Sequence, residues 1–295
     1  MKKNVALVLS SGGARGMAHI GVIEEMEKNG FAISSLAGSS IGAVIGGIYS
    51  MGKLDHYKKW VCDLNRVDVF KLLDFTLTKQ GFIKGEKVFN EMKKIIGDKP
   101  IENLPISFVA VASDMISQKE VVLDKGSLFS ALRASIAIPT VFTPHKLNGL
   151  SLVDGGVLNP IPMKHIKRTD GDILVVVDSN APSFKEHKKS VKLPDENAQK
   201  SYMEKFELFL KKWKNIFPDN SNSDENLSYF NLLNKVIESM EAKISSMLLE
   251  QYKPDIIVRI PKNTCGSFDF HRAEELIELG RKNFQKSLKT AKISA

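Results

Sequence analysis

Ser40 lies in a motif suited to nucleophilic chemistry. It is the central residue of Gly38-Ser39-Ser40-Ile41-Gly42, which fits the pattern G-x-S-x-G. Serine hydrolases place this pattern at a sharp turn between a strand and a helix, where the hydroxyl is exposed as a nucleophile. The N-terminus of the helix then directs partial positive charge at developing negative charge. The structural alternative is a glycine- and serine-rich start of a buried helix.

Two further stretches have residue types that acyl transfer needs. The stretch SGGARG at residues 11–16 follows an apolar run, and its backbone N–H groups could bind an oxyanion while Arg15 braces the loop. A dinucleotide fingerprint would need glycine in place of Ser11, and a structural tight turn is the third reading. Asp154, followed by Gly155 and Gly156, is a candidate acid–base group or an ordinary Asp-Gly turn.

The elements around these residues follow a parallel α/β pattern. The apolar run VALVLS predicts a buried first strand, and FAISSLAGSS predicts a second strand that enters the turn at Ser40. A helix is predicted after each of the two motifs. Residues 53–100 are predicted to be mostly helical. The later predictions are strands at 106–115, 119–126, 150–154, 172–180 and 254–261, and helices at 127–139 (ended by Pro139), 226–250 and 272–291.

Composition sets limits on the class of protein. Hydrophobic residues make up 43% of the chain and charged residues 26%, as in soluble globular proteins. The net charge of +8 suits an anionic membrane or a nucleic acid, but without a recognised nucleic-acid motif we expect no nucleic-acid partner. The two cysteines, Cys62 and Cys265, fit a reducing cytoplasm, and no cluster has zinc spacing.

The N-terminal apolar run is too short for a signal peptide, and no apolar stretch is long enough for a membrane span. We therefore expect a cytoplasmic protein. Peripheral contact with the inner membrane face is an additional hypothesis.

Taken together, the motifs LVLSSGGARGMAHIGVIEEM, AGSSIGA, ASIAIPTVF and LVDGGVLNPIP closely resemble those of bacterial patatin-like phospholipases. The resemblance covers about residues 4–180 and resumes through YKPDIIVRIP to about residue 284. It implies one hydrolase domain over residues 1–295 with a three-layer α/β/α fold and a mainly parallel central sheet. It also implies hydrolysis of lipid acyl esters by a Ser–Asp dyad, without a metal or other cofactor.

Position by position, the resemblance assigns the nucleophile to Ser40 and the general base to Asp154. Ser11 stands where the family usually has glycine. This difference affects the expected geometry at the start of the loop, but not the N–H donors that follow it. The remaining assigned residues are the oxyanion loop Gly12, Gly13, Ala14 and Arg15 and the motif glycines Gly16, Gly38, Gly42, Gly155 and Gly156.

A histidine in the catalytic site would replace this dyad with a triad. The sequence offers His165, His187 and His271 after Asp154, and we interpret each as a surface or capping residue. His19 is interpreted as a packed core residue. Two other functions stay open at this point: acyl transfer to an alcohol or a carrier thiol, and a regulatory or adaptor protein on a hydrolase scaffold.

A lysine-rich segment at about 182–224 interrupts the α/β pattern and is predicted to be an insert. Within it, aromatic and apolar residues recur at intervals of four and three, which predicts a helix over 201–217 with one apolar face. That helix either packs on the domain or a partner subunit, or it is a lid or docking element through which about 183–217 contacts an anionic membrane. The residues of this face are Tyr202, Phe206, Phe209, Trp213 and Ile216.

Overall fold

The computed structural model describes residues 3–78, 81–182 and 229–291 of the chain. The strands are β1 (Lys3–Leu9), β2 (Phe31–Ser39), β3 (Phe75–Thr78), β4 (Gly81–Ile83), β5 (Ser107–Asp114), β6 (Lys119–Leu123), β7 (His145–Leu147), β8 (Leu150–Asp154), β9 (Ile173–Ala181) and β10 (Ile256–Pro261). The α-helices are α1 (Ala18–Lys28), α2 (Ile41–Ser50), α3 (Leu54–Cys62), α4 (Arg66–Leu72), α5 (Glu86–Ile96), α6 (Leu128–Ser135), α7 (Tyr229–Tyr252) and α8 (Ala273–Ala291).

An eight-stranded sheet forms the centre of the fold, in the order β10-β9-β1-β2-β5-β8-β7, with β6 also paired to β5. Five strands run parallel to one another: β10, β9, β1, β2 and β5. Strands β6 and β8 are antiparallel to β5, and β7 is antiparallel to β8. The prediction of a mainly parallel sheet is confirmed, and its antiparallel strands are gathered at one end.

Strand β1 shows why the sheet is covered on both faces. Its alternate residues Val5, Leu7 and Leu9 belong to one apolar cluster, and Ala6 and Val8 belong to another. The first cluster contains residues of α1, α2 and α8, and the second contains residues near 161–166 with α7 side chains at its margin. A continuous apolar strand is the pattern expected when both faces of a parallel sheet are buried. The three-layer α/β/α prediction is therefore confirmed.

Three local features differ from the predictions. Residues 53–100 contain the β3–β4 hairpin as well as helices, and the short strand β7 has no counterpart among the predictions. Helix α6 ends at Ser135, four residues before Pro139. A proline disfavours the helical conformation at the residue before it, so the helix ends ahead of Pro139. In the segment that follows, the carbonyl of Ala137 accepts a hydrogen bond from the N–H of Asp154, at 2.9 Å.

The chain divides into two compact units, one of residues 1–184 and 238–295 and the other of residues 185–237. Of the second unit the structure describes only 229–237, the first residues of α7. The predicted helix over 201–217, the membrane-docking hypothesis for about 183–217, and the predicted insert beyond residue 182 lie outside the described residues. Among the helices that are described, none combines the length and the apolar character needed to cross a membrane.

Candidate active site

Ser40 occupies a strained turn between β2 and α2. Its backbone has φ 55° and ψ −125°, a region that residues other than glycine rarely adopt. Gly42, at the start of α2, explains how the turn fits: a Cβ atom there would lie 2.2 Å from the carbonyl oxygen of Leu9 in β1. Ser40 is therefore held where the first turn of α2 passes closely over the end of β1.

Strands β2 and β8 bring Ser40 and Asp154 together along one edge of β5. The other edge of β5 is paired with β6 from Ala110 to Asp114. β2 runs along the shared edge until Ser39 lies opposite Val111, and β8, which runs the other way, ends with Asp154 opposite Ala112. The two strands thus meet end to end on adjacent residues of β5. This register explains why two residues far apart in the sequence are in contact.

The Ser40 and Asp154 side chains form a short hydrogen bond. Ser40 Oγ donates to Asp154 Oδ2 at 2.6 Å, and the N–H of Gly156 donates to Asp154 Oδ1 at 2.7 Å. The turn at Ser40 is held by Ser135, whose Oγ accepts from the Ser40 N–H at 2.9 Å and donates to the Val111 carbonyl at 2.7 Å. Both members of the pair are buried. The hydroxyl is thus oriented by its contact with the carboxylate.

Burial controls the protonation of the Asp154 carboxyl group. Burial, together with the negative charge of Glu241, raises the pKa of Asp154 to about 8, although hydrogen bonds from Ser40 and Gly156 act in the opposite direction. A carboxyl group with a pKa in this range accepts a proton more readily than an exposed aspartate does. As a consequence of this raised pKa, Asp154 is mostly ionised only above neutral pH.

The loop of residues 11–16 lies at the carboxyl end of β1, and its glycines continue into a short 3₁₀ helix (Gly13–Met17). Gly13 has φ 56°, so that a side chain at this position would be strained. In the described part of the chain, the N–H groups of Gly12 and Gly13 have no hydrogen-bond acceptor. The structure differs from the prediction at Ala14, whose N–H donates to the Ser267 carbonyl at 2.9 Å.

Arg15 fixes the loop through buried hydrogen bonds. Its Nε donates to the Ser179 carbonyl at 2.9 Å, and its Nη2 donates to Asn180 Oδ1 at 3.0 Å. Asn180 Nδ2 in turn donates to the carbonyl and the hydroxyl oxygen of Ser11, at 3.1 Å each. Arg15 therefore connects the loop to the end of β9. The other motif glycines lie in β2 (Gly38), in the 3₁₀ helix against Ile41 (Gly16), and in the turn after Asp154 (Gly155 and Gly156).

An apolar cavity of about 850 Å³, including the space open to solvent, lies beside Ser40. Its walls are formed by helices α2 to α5, the segment after α6, Gly13, and the side chains of Ser267, Phe268 and Phe270. Apart from Ser40, Tyr57 and Ser267, the lining side chains are apolar. They include Val44, Trp60, Leu72, Val88, Phe89, Met92 and Phe142. A cavity of this size and character suits a hydrocarbon chain more than a polar metabolite.

Of the histidines that the structure describes, none is hydrogen-bonded to Ser40 or Asp154. His165 is within 2.8 Å of Glu120, and the ring of His271 accepts a hydrogen bond from Arg66 at 3.0 Å. His19 is completely buried beneath the loop, with Nε2 at 3.1 Å from the Ser10 carbonyl, and burial lowers its pKa to about 4. His187 lies outside the described residues. Among the residues that the structure describes, no His, Cys, Asp and Glu side chains are grouped as a metal site.

Two residues near the pair have no signal in the sequence that points to this place. Ser135 lies within the motif ASIAIPTVF, but the motif gives no indication that its hydroxyl supports the turn at Ser40. Glu241 lies in α7, in no motif, and only the fold brings it to the site, where it accepts a hydrogen bond from Ser11 in the loop and lies against Gly156 in the turn after Asp154. Such contacts between distant elements have no periodicity or spacing that a sequence displays.

The comparison with protein families agrees with this site. The model of the patatin-like phospholipase family matches residues 7–166, so the chain belongs to that family. It is accordingly an enzyme that hydrolyses lipid esters.

Among individual relatives, a protein of Mycobacterium bovis described as an uncharacterized NTE family protein is 32% identical over 320 residues, which cover 94% of this chain and 89% of that protein. A Mycobacterium tuberculosis protein with the same description matches to the same extent. Lysophospholipase NTE1 of Meyerozyma guilliermondii is 29% identical over 182 residues, which cover 59% of this chain but only 12% of the fungal protein. Of the solved structures, VipD from Legionella pneumophila matches with a TM-score of 0.49 and 15% identity, over 98% of this chain and 67% of VipD.

Proposed function

We propose that the chain is a serine acyl hydrolase of the phospholipase A, lysophospholipase or esterase type that acts through a Ser40–Asp154 dyad. The observation that carries this proposal is the 2.6 Å contact between Ser40 Oγ and Asp154 Oδ2 beside an apolar cavity. Ser40 is the nucleophile and Asp154 is the general base. No histidine in the described part of the chain is bonded to Ser40 or Asp154, which supports a direct transfer of the proton from serine to aspartate.

In the first step, Ser40 Oγ attacks the carbonyl carbon of the ester while its proton moves to Asp154 Oδ2. The carbonyl π electrons move to the oxygen and give a tetrahedral oxyanion. When this intermediate collapses, the bond to the leaving alcohol breaks, and Asp154 returns the proton to the alcohol oxygen. The product of this half of the reaction is an acyl-Ser40 ester.

In the second step, a water molecule attacks the acyl-Ser40 carbonyl while Asp154 accepts one of its protons. Collapse of the second tetrahedral oxyanion breaks the bond to Ser40 Oγ, which regains its proton from Asp154. The fatty acid is released and the dyad is restored. Both oxyanions need donors, and the uncommitted N–H groups of Gly12 and Gly13, with the N-terminus of α2, would supply them.

The cavity supports an acyl chain as the group that the enzyme binds beside Ser40. Each buried methylene of a chain contributes about 0.8 kcal/mol, so a few additional carbons change the affinity strongly. The polar side chains on the lining offer no cluster of charges that would suit a phosphate or sugar. We therefore place the acyl part of the ester in the cavity and the alcohol part outside it.

Labelling with a fluorophosphonate, followed by peptide mapping, tests the assignment of the nucleophile. We expect a single labelled site at Ser40. The labelling rate should rise with pH and reach half of its maximum near pH 8, because Asp154 accepts the serine proton only when it is ionised and its pKa is raised to about 8. Labelling at another residue, with Ser40 unmodified, would exclude the proposal.

Val88 tests the acyl cavity because it lines the wall and belongs to α5. We expect Val88→Asp to lower kcat/KM for p-nitrophenyl decanoate by at least about tenfold, since a carboxylate in the wall opposes burial of the chain. Its effect on p-nitrophenyl acetate should be less than about twofold, since the short acyl group buries too few methylenes to need that wall. Asn90→Asp, which adds the same charge at an exposed position of α5, is the matched control. An equal loss on both esters would contradict the assignment of the cavity.

A further inference from the structure

Glu241 places a second carboxylate beside the dyad, and it takes no part in the proposed acylation and hydrolysis steps. It lies on α7, and its Oε2 accepts a hydrogen bond from Ser11 Oγ at 3.0 Å. Its Oε1 lies against the turn after Asp154, only 2.7 Å from the position that a Cβ atom on Gly156 would occupy. Gly156 is the residue whose N–H holds Asp154 Oδ1. Glu241 therefore contacts both the start of the loop and the support of the base.

The contact with Ser11 belongs to a continuous set of hydrogen bonds. The Ser11 hydroxyl donates to Glu241 and accepts from Asn180 Nδ2 at 3.1 Å, and Asn180 Oδ1 accepts from Arg15. The backbone of Ser11 is also held, since its N–H donates to the Pro160 carbonyl at 3.0 Å. Glycine at position 11 would lack the hydroxyl and could not make the bond to Glu241. The bond to Glu241 therefore gives a structural reason for serine at this position, where the family usually has glycine.

The charges around Glu241 are mixed. Burial of the carboxylate, with a smaller contribution from Glu238 on the same helix, raises the pKa of Glu241 to about 6, whereas the bond from Ser11 and the charge of Arg15 act in the opposite direction. Asp154, at the end of β8, is a further carboxyl group whose charge interacts with that of Glu241. Because Glu241 ionises before Asp154 does, its negative charge is present when Asp154 titrates.

We propose that Glu241 is a positioning residue, which holds the oxyanion loop against the turn after Asp154 and which, as a neighbouring anion, strengthens Asp154 as a proton acceptor. The first role acts through Ser11 and affects the placement of the Gly12 and Gly13 N–H groups. The second acts through space and affects the pH at which Asp154 is ionised. Both roles rest on the proposed function of the Ser40–Asp154 dyad.

The charge effect is tested with Glu241→Gln, which retains an acceptor for Ser11 and removes the charge. We expect the acidic limb of the kcat/KM profile to move to lower pH by at least about half a unit, because a nearby like charge no longer opposes ionisation of Asp154. Glu250→Gln removes the same charge from an exposed position of α7 and should leave the profile in place. Identical profiles for the wild type and both variants would overturn the charge effect.

The positioning effect is tested with Glu241→Ala and Ser11→Ala, singly and together. We expect each single variant to lower kcat on the alkaline plateau by about tenfold, a typical effect of weakened oxyanion stabilisation, with KM changed by less than about twofold. The double variant should be no slower than the slower single variant, because both changes remove one contact. Glu241→Gln should restore kcat on the plateau to within about threefold of the wild type, because the amide oxygen still accepts from Ser11.

The outcomes separate this inference from the function on which it rests. Multiplicative losses in the double variant, or no loss in either single variant, would overturn the positioning role while Ser40 is still labelled by the fluorophosphonate. Absence of labelling at Ser40 in the wild type would instead reject the dyad. If Glu241→Ala does not fold, as judged by circular dichroism, the comparison of Ser11→Ala, which leaves the carboxylate in place, with Glu241→Gln decides the question.

Discussion

Replacing Ser40 with alanine or with glycine is expected to lower kcat for ester hydrolysis by about 10⁴- to 10⁶-fold and to abolish fluorophosphonate labelling. The two variants lose the same hydroxyl and therefore the same nucleophile. Their effects on stability should differ, however. Ser40 has φ 55° and ψ −125°, which alanine can adopt only with the same strain as serine, whereas glycine adopts this conformation readily.

We expect Ser40→Gly to be more stable than Ser40→Ala by about 1 kcal/mol. Relief of a strained backbone contributes about 1–3 kcal/mol, and the greater conformational freedom of glycine in the unfolded chain offsets about 0.5–1 kcal/mol of it. The measurement is urea unfolding of both variants under identical conditions. The same substitutions at Ser50, the buried last residue of α2, are the control, and there glycine should be the less stable variant because the backbone is helical. Equal stability of the two Ser40 variants would contradict the strained turn.

Asp154→Asn is expected to be inactive and yet more stable than the wild type at alkaline pH. The amide retains the shape of the carboxylate: its oxygen can accept from Gly156, and its nitrogen can donate to Ser40 Oγ. It cannot accept the serine proton, so we expect kcat to fall by about 10⁴-fold, as for the loss of other catalytic groups. Hydrolysis of p-nitrophenyl decanoate at pH 9, where the wild-type base is ionised, measures this loss.

The effect on stability follows from the protonation of Asp154. In the unfolded chain its pKa is about 3.9, whereas in the folded protein burial raises it to about 8, so that between these values the folded state alone binds the proton. The wild type therefore loses stability as the pH rises through this range, by about 1.4 kcal/mol per pH unit from this group. We expect the difference in melting temperature between Asp154→Asn and the wild type to increase from pH 4 to pH 8 and to level off above it. A difference that does not change with pH would show that Asp154 is not buried as an acid.

The parts of the fold that repeat a local pattern could be predicted from the sequence. The run VALVL predicts β1 because both of its faces are apolar, and the G-x-S-x-G motif predicts the turn at Ser40 because a strand precedes it and small residues follow it. The strands of the β3–β4 hairpin are only four and three residues long, and the short alternation FTLT lies among charged helical patterns, so the sequence predicts a mostly helical region there. The sequence predicts the end of α6 at Pro139 because proline ends helices, but the helix ends at Ser135 and the residues after it pair with β8 through the bond from Asp154 to Ala137, a long-range contact with no local signal.

In the candidate site too, some residues could be predicted from the sequence and others could not. Motifs identify Ser40, Asp154 and the loop because each contains a local combination of glycines that the backbone requires. The commitment of the Ala14 N–H to Ser267 and the approach of Glu241 to Ser11 are contacts between distant segments, and each depends on how α7 and the segment before α8 pack. A single sequence contains no local trace of such packing. This is why the positioning groups emerge only from the structure.

The end-to-end meeting of β2 and β8 on one edge of β5 also affects how the proposed dyad forms during folding. Ser40 precedes β5 in the chain, and Asp154 follows it after β6, α6 and β7, so the parts of the chain before and after β5 each contain only one member of the pair. Strands β2 and β8 must both pair with β5 in the correct register. A shift of either strand along β5 would separate the Ser40 hydroxyl from the Asp154 carboxylate. The appearance of hydrolysis in a refolding chain therefore marks the completion of long-range strand pairing. Such pairing forms slowly because it joins residues far apart in the sequence.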